Sequence, residues 1–314
     1  MGRIILALAL ALSSLTPQDI KWKKSWPEAL KEAKASKKLA ILVFFNKGLK
    51  DCKRFEEETL PNAAVVSALQ SCVCAMIDPD GTDEDNALWQ KHGQVRPPMT
   101  YVYDPEGKML TSISALKPEY YAGALAAAGP AYFKLIVPAQ ESLAKDPNQA
   151  DKLTMLGEAY QKLDNKVESA AAYAKAVEIL SKKGDKAGTM KLLESQMEAY
   201  YSIKWYVPAK AACAKILELD PSDGSKLGAK ATWVLGCAAS DERKYKETVT
   251  IMKPACERYK DSPLLDKMMF TLGAGYMYSG DKENAIAVFD EISKKFPTSD
   301  TANIAKIQAD KLRK

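Results

Sequence analysis

The chain has 314 residues, 27% of them charged and 47% apolar, and 45 Lys+Arg against 40 Asp+Glu give a net charge of +5. That length leaves room for two domains with ample core. The charge excess is mild and spread along the chain, which excludes the clustered basic face of a nucleic-acid binder. The single histidine, His92, and the six cysteines show no zinc-type spacing, so neither a metal nor a cofactor is expected.

Residues 1–19 hold one basic residue, Arg3, then nine apolar residues, Ile4–Leu12, and a small-residue pattern at Ala11-Leu12-Ser13. This reads as a secretory signal peptide, with the mature protein exported to a periplasmic or extracellular space. Nine helical residues span about 13 Å, less than half of a bilayer core. No later segment reads as long and apolar enough to cross a membrane, so no stable insertion is expected after cleavage.

Residues 20–37 place Trp22, Trp26, Ala29, Leu30 and Ala33 at helical spacing, and Pro27 suits the first turn of that helix. Leu39–Phe45 is an apolar run of strand character. A turn follows over Asn46–Leu49, then a helix over Asp51–Leu60 with Glu56, Glu57 and Glu58 on a solvated face. Pro61-Asn62 breaks it, and Ala63–Leu69 is a short helix. Ser71–Asp78 reads as a buried strand. Asp78, Asp80, Asp83, Glu84 and Asp85 lack the ligand spacing of a calcium loop and read as a solvated loop and helix start. Asp80–His92 is helical to Gly93, and His92 reads as a structural helix-end residue. Thr100–Tyr103 and Lys108–Ile113 are strands around the turn Asp104–Gly107. Tyr101 and Tyr103 alternate as sheet-face packing. Pro118–Ala128 is a closing helix stopped by Gly129-Pro130. Cys72 and Cys74, two apart in a strand, share one face, where a bridge has poor geometry. Cys213, Cys237 and Cys256 fall in helical patterns, where cysteine serves as a small core residue.

The stretch Leu39–Lys53, LAILVFFNKGLKDCK, carries an apolar strand into a helix start with a cysteine one turn inside. It resembles the thioredoxin superfamily, whose exported members read strand, Trp-Cys-x-x-Cys-Lys, helix. Aligned on Cys52-Lys53, the second cysteine is present. Leu49 stands at the first cysteine and Gly48 at the tryptophan. The element order over about 110 residues is similar to the family's α/β sandwich. The resemblance also implies a cis-proline at Pro98, with Met99 where threonine is usual. Disulfide exchange needs an accessible thiolate and a resolving thiol. Leu49 has no such chemistry, and Cys52, if covered, has a raised pKa. Besides another activity that the sequence does not show, two readings stay open. One is a redox-silent module whose apolar surface, Gly48, Leu49, Cys52, Pro98 and Met99, binds an extended peptide. The other is a thiol-disulfide oxidoreductase acting through Cys52 as the catalytic residue, with Pro98 beside it and Cys72 or Cys74 as resolver.

Ala131–Lys145 reads as a linking helix bent at Pro138. Beyond it the chain repeats. Leu272, Gly273, Tyr276, Gly280, Ala285, Phe289 and Pro297 form one instance. Leu156, Gly157, Tyr160, Tyr173 and Ala176 form another, with Ser169 at the alanine position. Tyr200, Ala209 and Pro221 match more weakly, as do Leu235, Gly236 and Ala255. Leu156, Gln196, Leu235 and Leu272 share a slot, giving periods of 40, 39 and 37 residues. The pattern resembles the tetratricopeptide repeat, helix pairs whose apolar faces are buried by their neighbours. Cys213 falls at the aromatic position of a second helix, and Asp300–Arg313 suits a capping helix. The resemblance implies a concave surface lined by Asp151, Thr154, Glu158, Lys191, Glu194, Glu198, Lys230, Trp233, Lys267, Phe270 and Met277. It runs from acidic-polar to apolar-aromatic and lacks the family's basic carboxylate clamp.

The expected organisation is a signal peptide over 1–19, an α/β thioredoxin-like sandwich domain over 20–129, a linking helix over 130–149, and an all-α array of tetratricopeptide-type repeats over 150–314. The expected function is that of an exported adaptor for a protein or peptide partner, with oxidoreduction through Cys52 as the alternative.

Overall fold

The computed structural model describes residues 20–314. The signal peptide expected over 1–19 lies outside the described residues. Two compact units emerge among the described residues, one of residues 20–138 with the turn 162–165, the other of residues 139–161 and 166–314.

The first unit is a five-stranded sheet in the order β1-β3-β2-β4-β5. The strands are β1 (Trp22–Lys23), β2 (Ala40–Phe44), β3 (Val73–Ile77), β4 (Met99–Tyr103) and β5 (Met109–Ile113). β1, β3 and β2 run parallel, and β4 and β5 are antiparallel. Every β2 residue is buried, which is why that strand reads as an unbroken apolar run rather than an alternating one. On one face Leu42, Phe44, Ile77, Tyr101 and Tyr103 pack with Trp26, Ala29 and Ala33 of α1 (Trp26–Ser36). Toward the other face, Tyr121 of α5 (Pro118–Pro130) is wholly buried, bonds the Thr100 hydroxyl at 2.9 Å and meets Phe55 edge-on.

Two local expectations need correction, and a third is met with a different helical turn. Trp22 belongs to β1, not to the first helix: Ser25 accepts from the Glu28 amide as N-cap and Pro27 fills the first turn, so the helix starts at Trp26. The helix carrying Cys52, α2 (Lys50–Arg54), runs on through a π-helical turn, Phe55–Thr59. Gly129-Pro130 does not stop α5 either. A wider π turn, Ala131–Ile136, follows the proline, and the chain continues into α6 (Val137–Lys145). Pro118–Lys145 is therefore one helical run of 28 residues, with an 18-residue window of mean hydropathy 1.2 within it, long and apolar enough by length and composition to cross a membrane. The sequence reading missed it by placing a stop at Pro130. Tyr121, Leu125 and Ala128 bury its first half in the core of the first unit.

The second unit is built of helix pairs: α7 (Ala150–Lys162) with α8 (Lys166–Lys182), α9 (Lys186–Ser202) with α10 (Tyr206–Leu219), α11 (Gly228–Asp241) with α12 (Tyr245–Arg258), and α13 (Leu265–Ser279) with α14 (Lys282–Lys295). α15 (Asp300–Arg313) closes the array. Each pair is locked by one slot. A Cβ on Gly157 would meet the Tyr173 ring at 2.6 Å, one on Gly236 the Met252 methyl at 2.6 Å, and one on Gly273 the Phe289 ring at 2.6 Å. In the second pair the volumes are exchanged: the first helix carries Met197 and the second carries Cys213, both wholly buried in one cluster. Ser169 and Thr248, where alanine is usual, donate to the carbonyls of Gly157 and Gly236, so their hydroxyls are satisfied in the helix contact. The turn inside each pair needs a left-handed residue, supplied by Asp164 (φ 55°), Lys204 (61°), Arg243 (61°) and Gly280 (90°).

Candidate functional site

The first candidate lies where β2 gives way to α2. Phe45 ends the strand with its amide on the Ile77 carbonyl, and Asn46 then organises the turn. Its side-chain oxygen accepts from the Gly48 amide at 2.9 Å. Its amide group donates to Asp78 at 3.2 Å and to Asp80 at 2.6 Å. Asp78 and Asp80 thus brace this turn. Among the described residues no group of three or more His, Cys, Asp or Glu converges as metal ligands would.

The backbone N–H of Asn46 donates to the Cys52 sulfur at 3.3 Å. Cys52 has no exposed surface, and burial pushes its thiol pKa up, against the smaller opposing effect of that hydrogen bond. Leu49, at the position of an attacking sulfur, is the half-buried N-cap of α2, and Gly48 is exposed. The Pro97-Pro98 bond is cis. The pairing of Phe44 with Met99, together with an Arg96–Asp51 ion pair at 3.0 Å, brings the loop of Pro98 beside the turn of Leu49. Met99 shares the strand face of Tyr101 and Tyr103 and packs partly buried against the Trp26 cluster. It leans on the core on the α1 face while staying half-buried like Leu49 and Pro98, and exposed Lys47, Lys50 and Arg96 rim these residues.

His92 caps α4 (Asp83–Lys91), with Nδ1 on the Leu88 carbonyl at 2.7 Å and Nε2 at 2.5 Å from the Tyr103 hydroxyl. Since a carbonyl can only accept, Nδ1 carries the proton and Tyr103 donates to Nε2. Burial pushes the Tyr103 phenol up to about 12, in keeping with that donor role. All six cysteines are free. Glu56, Glu57 and Glu58 are exposed on their helix.

The second candidate is the row of first helices in the array. Lys230 of α11 reaches back to α9, pairing with Glu194 at 2.7 Å and with Glu198. Burial works against its charge, yet the two carboxylates outweigh it and its pKa is raised. Trp233, one turn on, donates its indole N–H to Thr271 of α13 at 3.1 Å, and the Lys267 ammonium sits 5.7 Å from its ring centre. Phe270 packs on Phe289 with ring centres 5.5 Å apart. Trp233, Phe270, Met277 and Thr154 are half-buried, while Asp151, Glu158, Lys191 and Lys267 are exposed. Glu194 and Glu198 are consumed by Lys230, so the acidic stretch read from sequence is largely neutralised from within. Sequence reading missed Thr271 and Cys237, which meet at 3.7 Å beside Trp233. A threonine and a cysteine in otherwise apolar helices were the available signal.

The mixed sheet with its strand–turn–helix motif and cis-proline defines a thioredoxin-like domain, and the helix pairs that follow it define a tetratricopeptide-like array. A family model described as a thioredoxin-like domain matches residues 26–129. No curated protein sequence matches the chain. Among solved structures, the chain is similar to the apo form of RapI, at 17% identity and a TM-score of 0.44, over 61% of this chain and 81% of that one. It is also similar to a putative kinesin light chain of Podosopora anserina with nearly identical TPR-like repeats, at 12% identity and a TM-score of 0.43, over 57% and 97% of the two chains. A third is YrrB, described as a TPR protein with an unusual peptide-binding site, at 15% identity and a TM-score of 0.32, over 54% and 97%.

Proposed function

We propose that the chain is an exported, non-catalytic adaptor whose repeats hold a protein or peptide segment on the face of their first helices. The observation that carries this is the continuous cross-helix row Glu194/Glu198–Lys230, Trp233–Thr271 and Lys267–Trp233. It fixes polar and aromatic side chains on one face of α9, α11 and α13 while leaving exposed charge at Glu158, Lys191 and Lys267. Such a row suits an extended segment with an apolar anchor opposite Trp233, Phe270 and Met277. The first unit supports the reading by what its motif lacks: Leu49 offers no sulfur and Cys52 is covered. Export rests on the apolar run Ile4–Leu12 and the small residues after it.

The test is selection of a random peptide library on the full chain, followed by affinity measurement on two variants. Lys191→Glu with Lys267→Glu reverses exposed charge, and Trp233→Leu keeps apolar packing while removing the ring. Each is expected to weaken the selected peptides by at least about tenfold, the scale of an interface hot spot. Peptides that bind both variants as tightly as the parent chain would remove the groove reading.

A further inference from the structure

Cys72 and Cys74 stand apart from the motif cysteine, at the start of β3 beside the end of α3 (Ala63–Gln70). Both line one cavity of about 340 Å³, together with Lys38, Glu32, Leu69 and Gln70. Their thiols donate to neighbouring carbonyls at the helix end: Cys72 Sγ lies 3.5 Å from the Ala68 oxygen and Cys74 Sγ 3.4 Å from the Leu69 oxygen. Cys74 is buried and Cys72 is half-buried with a path to the cavity.

We propose that Cys72 and Cys74 form a two-thiolate site for a soft monovalent metal ion, Cu(I) in the first instance. This departs from the sequence expectation that the chain holds no metal. Two sulfurs without further ligands suit a soft ion content with low coordination, and they do not suit Zn(II), which takes four ligands. Among the described residues no group of three or more His, Cys, Asp or Glu offers that larger set. On binding, two S–H bonds break, two Cu–S bonds form, two protons leave to solvent, and no electron moves. The bound unit carries a net charge of −1, and the Lys38 ammonium lining the same cavity offsets it. The two carbonyls released are not orphaned. Ser71 Oγ already donates to Ala68 at 2.7 Å, and the Cys72 amide already donates to Leu69 at 3.0 Å. Loss of the thiol hydrogen bonds therefore leaves no unsatisfied buried acceptor, the usual penalty for such an exchange.

The experiment is an anaerobic titration of the reduced full chain against the coloured Cu(I)–bicinchoninate complex. The chain is expected to withdraw one equivalent of Cu(I). Cys72→Ser, at a half-buried position, is expected to lose affinity by more than about a hundredfold, beyond the tenfold to hundredfold effect of outer-shell changes. Cys256→Ser is expected to bind as the parent does. X-ray absorption of the loaded parent chain, which needs no substitution, is expected to show two sulfur neighbours around copper. The proposal is overturned if the parent chain withdraws no Cu(I), if Cys72→Ser binds unchanged, if three or more ligands surround the copper, or if Zn(II) is retained as firmly as Cu(I).

Discussion

Cys52 in the sheet unit and Cys213 in the repeat unit are both wholly buried, and burial raises the pKa of both thiols. They arrive there by different routes. Cys52 sits one turn inside a helix whose start is the reactive position of its fold, and Leu49 before it leaves that position without sulfur. Cys213 sits where the other second helices carry Tyr173, Met252 and Phe289, opposite Met197 where the other first helices carry glycine. One sulfur lies in a turn-and-helix motif, where the Asn46 amide donates to it. The other is a unit of volume in a slot whose total size is kept while its halves trade places. A buried cysteine therefore has meaning only through the position it occupies in its repeat or motif.

The sharpest way to break this comparison is to impose the second pair's arrangement on the fourth. Gly273→Met alone drives a side chain into the Phe289 ring and is expected to cost about 3 kcal/mol in urea unfolding, the upper range for overpacking. Adding Phe289→Cys is expected to recover most of that loss. Simple additivity of the two changes would show that the slot is not a shared volume.

In the sheet unit the corresponding test is polar. Tyr121→Phe removes the partner of the buried Thr100 hydroxyl and is expected to cost about 1 to 2 kcal/mol, measured by the same unfolding.

Alkaline titration probes both buried sulfurs, most strongly Cys213, whose pKa is pushed up by burial to about 12 from 9.0. Below pH 9 the thiol is protonated in both states and its contribution is complete. As pH rises from 9 toward 12, the unfolded chain gives up the proton while the folded chain keeps it, so stability falls. Between pH 8 and 10.5 Cys213→Ala is expected to lose about 1 to 2 kcal/mol less than the parent chain. An identical fall in both would mean that the thiol does not contribute.

The smallest effect belongs to the turns. Arg243 holds φ at 61° where the fourth pair has Gly280. Arg243→Gly is expected to raise the thermal midpoint slightly, by up to about 1 kcal/mol in stability, because the left-handed strain is relieved. A lowered midpoint would show that the arginine side chain contributes more than its backbone costs.

The array was legible in sequence because its contacts are local. The small residue of one helix and its filler in the next lie 16 positions apart, as in Gly157 and Tyr173 or Gly273 and Phe289, so a fixed spacing carries the packing. Cys213 could be placed by that register alone. The sheet unit gave its order through the apolar runs of β2 and β3, and Pro98 through its place before β4. It hid what depends on pairing across the chain. β1 is two residues long and exists only through its register with Cys74 and Ala75. Met99 took the core face through strand alternation. Pro130 misled because a wide helical turn after it is a tertiary accommodation that composition does not announce. In the groove, the acidic residues were found but their neutralisation was not, since Lys230 reaches Glu194 and Glu198 from the next repeat.

The central claim is that the first unit keeps the frame of a thiol exchanger without its chemistry. The most direct measurement is turnover of a glutathione-linked disulfide substrate by the purified chain beside Cys52→Ser. Equal, background-level rates are the expected result. Activity in the parent chain that vanishes in Cys52→Ser would contradict the account and make the buried sulfur a working nucleophile.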